Sequence, residues 1–104
     1  MIKVSLLFPR QEGIKFNVKY YAETHFPMLR QKLGDACKGG VVDRGLRGAA
    51  PNVPAPFVMI TNLMFEDLEA FQGAFRPNRT DILADIQSFS NVQPLIQISE
   101  MNSA

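Results

Sequence analysis

Phe57-Val58-Met59-Ile60-Thr61-Asn62-Leu63-Met64-Phe65 is the stretch on which the fold turns. It is rich in β-branched and aromatic residues and bounded by Pro56 and by Glu66-Asp67, so it reads as a strand. Its apolar residues occupy both faces: Phe57, Met59, Leu63 and Phe65 on one, Val58, Ile60 and Met64 on the other. A half-exposed strand should alternate apolar with polar, so this one belongs in the middle of a sheet with both faces covered.

Working outward, Ile2 to Phe8 is a second apolar run, closed by Pro9, and reads as the other central strand. A turn at Glu12-Gly13 leads to Asn17, a natural N-cap. From there Val18, Tyr21, Ala22, His25, Met28 and Leu29 recur at helical spacing, and Gly34 suits the helix end. Pro27 lies inside this pattern and should kink or restart the helix directly after His25. Val41 to Leu46 reads as a strand, and Gly48 to Pro56, with three prolines, as a loop. Beyond the decisive strand, Asp67 can cap a helix carrying Leu68, Phe71, Ala74 and Phe75. Pro77 ends or kinks it, and a further helical stretch spans roughly residues 80–86. Val92 to Ile98 is the last strand, with Pro94 tolerable on a sheet edge. The order βαββαβ predicts one α+β domain over residues 1–104, ferredoxin-like, with a four-stranded antiparallel sheet and its first and third strands central. Two helices cover only one face of such a sheet. A second copy of the chain is the expected cover for the other, giving a homodimer. The alternative is a far face left partly wet.

Composition narrows the function. Eleven Lys and Arg against ten Asp and Glu leave a formal charge of +1 over 104 residues, so no excess points to nucleic acid, a membrane surface or a polyanion. One cysteine and one histidine exclude an internal disulfide and Cys-rich or His-rich metal sites, which leaves only a lone histidine-plus-carboxylate site as a weak alternative to the expectation of no metal. No apolar run approaches a membrane span, and the N-terminal apolar stretch is too short for a signal peptide. We expect a cytoplasmic protein. Phosphate-loop, dinucleotide-loop, nucleophile-elbow and HExxH motifs are all missing.

His25 is the first candidate for chemistry, since its ordinary pKa of about 6.5 lies in the physiological range. It falls on the sheet-facing stripe one turn after Tyr21. An imidazole beside a phenol could act as general acid or base on a bound molecule. A structural histidine, bonded to a carbonyl freed by the Pro27 kink, would show the same spacing. Adjacent Tyr20 and Tyr21 point about 100° apart on a helix, and the stripe favours Tyr21 for the pocket. Such a tyrosine is more often core packing with a satisfied hydroxyl. Asn62 and Ser5 interrupt the two central strands and must find partners there or meet a ligand. Asp43 and Arg44 lie in an edge strand, where solvation is the commoner fate. The methionines and phenylalanines would suit an apolar small molecule, and equally a plain core. Cys37 beside Lys38 has no base organised around it.

The segment Tyr20-Tyr21-Ala22-Glu23-Thr24-His25-Phe26-Pro27-Met28 resembles the YYxxxHxPL signature of the EthD family, with Met28 in place of the leucine. The resemblance extends through Val42-Asp43-Arg44-Gly45-Leu46, Pro56-Phe57-Val58, Leu68-Glu69-Ala70-Phe71, Ala84-Asp85-Ile86 and the segment from Pro94 to Glu100, nearly the whole chain. It implies a dimeric α+β barrel, two ferredoxin-like subunits packed sheet against sheet. The wider superfamily includes antibiotic-biosynthesis monooxygenases, muconolactone isomerases and polyketide cyclases. Its members bind apolar molecules between sheet and helices, commonly without metal or organic cofactor. The family takes its name from a small protein required alongside a cytochrome P450 system that degrades ethyl tert-butyl ether. Some fungal relatives are dehydratases or decarboxylases.

The expectation is therefore a cofactor-independent protein acting on an apolar small molecule by proton transfer: isomerisation, dehydration or cyclisation. His25 is the expected acid/base and Tyr21 its hydrogen-bonding neighbour. Asn62, Ser5, Tyr20 and Arg44 are the candidate ligand-binding side chains. Two other readings stand beside it: a non-catalytic accessory or sequestering protein serving an oxygenase system, and a cofactor-free monooxygenase.

Overall fold

The computed structural model describes residues 1–102. Its four strands are β1 (Ile2–Pro9), β2 (Cys37–Arg44), β3 (Phe57–Phe65) and β4 (Leu95–Glu100), in the sheet order β2-β3-β1-β4. Every neighbouring pair is antiparallel, so the two strands richest in apolar residues are the central ones. This is the ferredoxin-like α+β arrangement.

The first helical arm spans residues 18–33 and changes its pitch along the way. Helix α1 (Val18–Tyr20) starts at Asn17, whose side chain accepts a hydrogen bond from the Tyr20 amide at 3.0 Å. A wider π-helical turn over Tyr21–His25 follows, then α2 (Phe26–Leu33). Pro27, having no N–H, follows directly on the π turn, whose Phe26 amide bonds to the Tyr21 carbonyl, and leaves a carbonyl of that wider turn without its usual amide. The expected restart after His25 is thus made by inserting a residue rather than by a bend, a device common at functional sites. Tyr21, His25, Leu29 and Leu33 face inward, whereas Ala22, expected on that stripe, is exposed. The second arm runs through α3 (Leu68–Phe75), capped by Asp67, a 3₁₀ turn around Pro77, α4 (Arg79–Ala84) and a 3₁₀ turn over Asp85–Ser88. Both arms cover the sheet face that carries Val4, Phe8, Met59, Leu63 and Phe65, and these form the core.

Strands β2 and β4 are bounded differently from the sequence reading. Strand β2 begins at Cys37, not Val41, and ends before Leu46, which is 90% exposed. Glycines are poor strand formers, so Gly39 and Gly40 masked its start. Both sit close against neighbouring side chains: a Cβ at Gly39 would lie 2.8 Å from the end of Met64, and one at Gly40 3.0 to 3.2 Å from the ends of Arg30, Phe26 and Leu63. Strand β4 begins at Leu95, not Val92. Pro94 stands just outside it, and Val92 is buried among the aromatic residues.

The sheet's other face carries no helix. Alternation along each strand places Leu7, Val41, Val58, Ile60, Met64 and Leu95 there. Asn62, Ser5 and Gln97 form one transverse polar row across it, Asn62 opposite Ser5 and Ser5 opposite Gln97.

Candidate functional site

The π turn delivers Tyr21 and His25 to the same inner face with their rings stacked, 5.3 Å between centroids and 28° between planes. Beneath them the sheet supplies Thr61, fully buried in β3, which shares a short hydrogen bond with the Tyr21 hydroxyl. Phe89 closes the other side of His25, with ring centroids 4.7 Å apart. Only 3% of His25 is exposed.

The polar contact of His25 comes from the far arm. Its Nδ1 lies 2.8 Å from Oδ2 of Asp85, at the start of the last 3₁₀ turn. The Tyr20 hydroxyl donates to the other oxygen, Oδ1, also at 2.8 Å. Burial would raise the Asp85 pKa, but the bonds from His25 and Tyr20 outweigh it and hold the carboxyl below its ordinary 3.8. For His25 burial is the largest influence and disfavours the charged ring. The bond to Asp85 and its charge oppose this without cancelling it, so the pKa falls below 6.5. At neutral pH the pair is therefore a carboxylate and a neutral imidazole. A carboxylate can only accept, so Nδ1 carries the proton and donates it, and Nε2 keeps a bare lone pair.

That nitrogen has no hydrogen-bond partner among the described residues, yet no buried side-chain polar atom is both sealed off and unpaired. Nε2 therefore meets open space. His25 lines a cavity of about 60 Å³ between sheet and helices, whose walls include Leu6, Phe8, Leu63, Phe75, Ile86 and Ile96. A single water needs roughly 10–15 Å³ on this scale. Every other lining residue is apolar. The unpartnered nitrogen of a histidine that lines a hydrocarbon chamber can take a proton from, or return one to, a molecule that reaches it. No cluster of three or more His, Cys, Asp or Glu that could hold a metal occurs among the described residues.

None of the other candidate residues lines the cavity. Tyr21 does not bond to His25. It stacks on it, and its hydroxyl is engaged by Thr61, with burial pushing its pKa up to about 12. Tyr20 holds Asp85 and does not line the cavity. Asn62 and Ser5 lie on the helix-free face, where the Ser5 hydroxyl donates to Asn62 Oδ1 at 2.6 Å. Each central strand alternates, so a residue beside the buried Thr61 must point the opposite way. Arg44 is exposed on edge strand β2. Asp85 and Thr61 are the polar residues that sequence reasoning passed over. Asp85 is 60 residues from His25, and its one trace was membership of the Ala84-Asp85-Ile86 segment that fits the family pattern.

Fold and site together define a ferredoxin-like α+β protein with a histidine set against an apolar hollow beneath its sheet. The EthD domain matches residues 16–93, and the chain belongs to the EthD family. An EthD-like protein from Ralstonia eutropha JMP134 has a similar structure, with a TM-score of 0.91 and 36% identity over 95% of this chain and 89% of that one. An ethyl tert-butyl ether D (EthD) family protein from Bacillus halodurans C-125 gives 0.75 and 21%, over 98% and 99%. A putative antibiotic biosynthesis monooxygenase from Deinococcus radiodurans gives 0.55 and 16%, over 100% and 95%, a likeness of fold alone. No curated protein matches the chain.

Proposed function

We propose that this protein binds an apolar small molecule in the cavity between sheet and helices. There His25 moves a proton on that molecule, in an isomerisation, dehydration or cyclisation that draws on no organic cofactor or metal. The observation that carries the reading is the His25 ring itself: Nδ1 held by Asp85, Nε2 without a partner, and an apolar cavity against it. A neutral histidine poised below pH 7 is a competent general base, and such catalysis contributes about 10² to 10⁴-fold. With a substrate found by ligand screening, His25→Ala should lose that factor in kcat while the fold is retained. A folded His25→Ala protein with full turnover overturns the assignment.

A second copy of the chain is the proposed partner, covering the helix-free face with Ile60, Met64 and Leu7. The second functional reading is a carrier that shelters a poorly soluble intermediate for an oxygenase system. One feature favours it: apart from His25, the cavity's lining offers a ligand no polar side chain. A carrier would keep its affinity nearly constant from about pH 5 to about pH 8 and in His25→Gln, whereas a general base imposes a histidine-dependent pH profile.

A further inference from the structure

We propose that the cavity accepts ligands presenting a hydrogen-bond donor, a phenolic or enolic hydroxyl on an otherwise apolar body, in preference to ethers and ketones of the same size. This rests on the reading of the cavity as the ligand site and goes beyond it by naming the ligand's chemistry.

Three contacts fix the choice. Asp85 Oδ2 lies 2.8 Å from His25 Nδ1, and a carboxylate there compels Nδ1 to carry the hydrogen. Tyr20 donates to the other oxygen, Oδ1, at 2.8 Å, a second hold that favours the carboxylate's place beside the ring. Tyr21, the other polar side chain stacked on His25, is engaged by Thr61 on the sheet. The one polar atom left to greet a ligand is therefore an acceptor. An ether or carbonyl oxygen placed against it would set lone pair against lone pair and leave both desolvated, whereas a hydroxyl satisfies both.

The same geometry narrows the class further. If Nε2 takes the hydroxyl proton, the O–H bond breaks, its electron pair stays on oxygen, and an N–H bond forms on an imidazolium held against Asp85. The oxygen then has one donor, that N–H, because the remaining walls are apolar. Its charge must be spread within the ligand, as an aromatic ring or a conjugated enolate does.

The isomers p-cresol and anisole test this directly, since they share every atom and differ in having or lacking a donor. Titration of methyl-labelled protein, following the leucine and isoleucine methyls of the cavity, should give p-cresol a Kd at least about ten-fold lower. Asp85→Asn supplies the control. The Tyr20 hydroxyl keeps the amide oxygen on its own side and turns the amide N–H groups to Nδ1, so the hydrogen moves to Nε2. The preference for p-cresol should then vanish or reverse. The chain has one histidine, so ring ¹⁵N shifts report the tautomer in each protein without assignment. Equal affinities in the wild-type protein, or an undiminished preference in Asp85→Asn, would overturn donor selection and leave the cavity as ligand site. If neither isomer binds below about 10 mM, the cavity reading and this inference fall together.

Discussion

The Asp85–His25 contact turns a burial problem into a defined protonation state, and stability should record it. His25 has a lower pKa folded than its ordinary 6.5. As pH falls, the unfolded chain takes up the proton first, so folding loses ground. The contribution is whole above about pH 6.5 and is lost as pH drops through the folded value. Asp85, also lowered, adds stability that is present above its ordinary 3.8 and disappears in more acid solution. Urea unfolding between about pH 8 and about pH 5 should show a decline that His25→Asn flattens, and parallel curves for the two proteins would count against the assignment. Tyr21 runs the other way. Its pKa rises from 10.0 to about 12, so its stabilising share is present below pH 10 and is lost as pH climbs through 12. Tyr21→Phe strands the buried Thr61 hydroxyl at a cost of about 1–3 kcal/mol, and adding Thr61→Val should restore part of it in a double-mutant cycle. His25 was legible as a candidate because it is the lone histidine on an apolar stripe. Its partner was not, because nothing local marks a carboxylate 60 residues away. Asn62 drew attention as a polar break in a strand, yet the residue beside it, Thr61, is the one turned inward, since a single step along a strand reverses the face.

Among the elements, those announced by side-chain chemistry were legible and those that depend on backbone accommodation were not. Asn17 and Asp67 cap the two helical arms as their oxygens predict, with bonds of 3.0 and 2.8 Å to the amides three residues on. Strand β3 has the bounds its pattern predicts. The start of β2 was hidden by two glycines, poor strand formers that lie close against the side chains of Met64, Arg30, Phe26 and Leu63. The π turn was hidden as well. Pro27 announces a break, but whether the chain bends or widens is decided by anchors in other elements, Thr61 under Tyr21 and Asp85 beside His25. The Asn17 cap has added leverage because its own amide donates to the Phe89 carbonyl at 2.7 Å, next to the His25 ring. Asn17→Ala should cost about 1 kcal/mol and speed hydrogen exchange at the Tyr20 amide, which loses its acceptor. Unchanged exchange there would mean that the cap does not hold the arm.

At the scale of the whole molecule, the unequal treatment of the two sheet faces is the decisive feature. One face is packed by both helical arms. The other carries Ile60, Met64, Leu7 and Val58 at its middle, crossed by the Asn62–Ser5–Gln97 row, with Lys3, Asp43 and Ser99 on the same face. Four strands about 4.8 Å apart and some eight residues long present roughly 500 Å² of flat area. Pleating and side chains enlarge this toward the ~800 Å² that each partner gives to an ordinary protein interface. The two-fold association proposed above would bury this face against itself and place the polar row of one copy against that of the other. Ile60 lies near the centre, on β3 opposite Leu7. A charge there would have to be desolvated without a partner, so Ile60→Lys should separate the copies while the cavity on the opposite face stays intact. Sedimentation velocity should give the wild-type protein twice its 11.6 kDa chain mass and Ile60→Lys the single mass, with the His25 ring shifts unchanged between them. A wild-type protein that sediments as one chain at micromolar concentration would show that water, not a twin, covers the sheet.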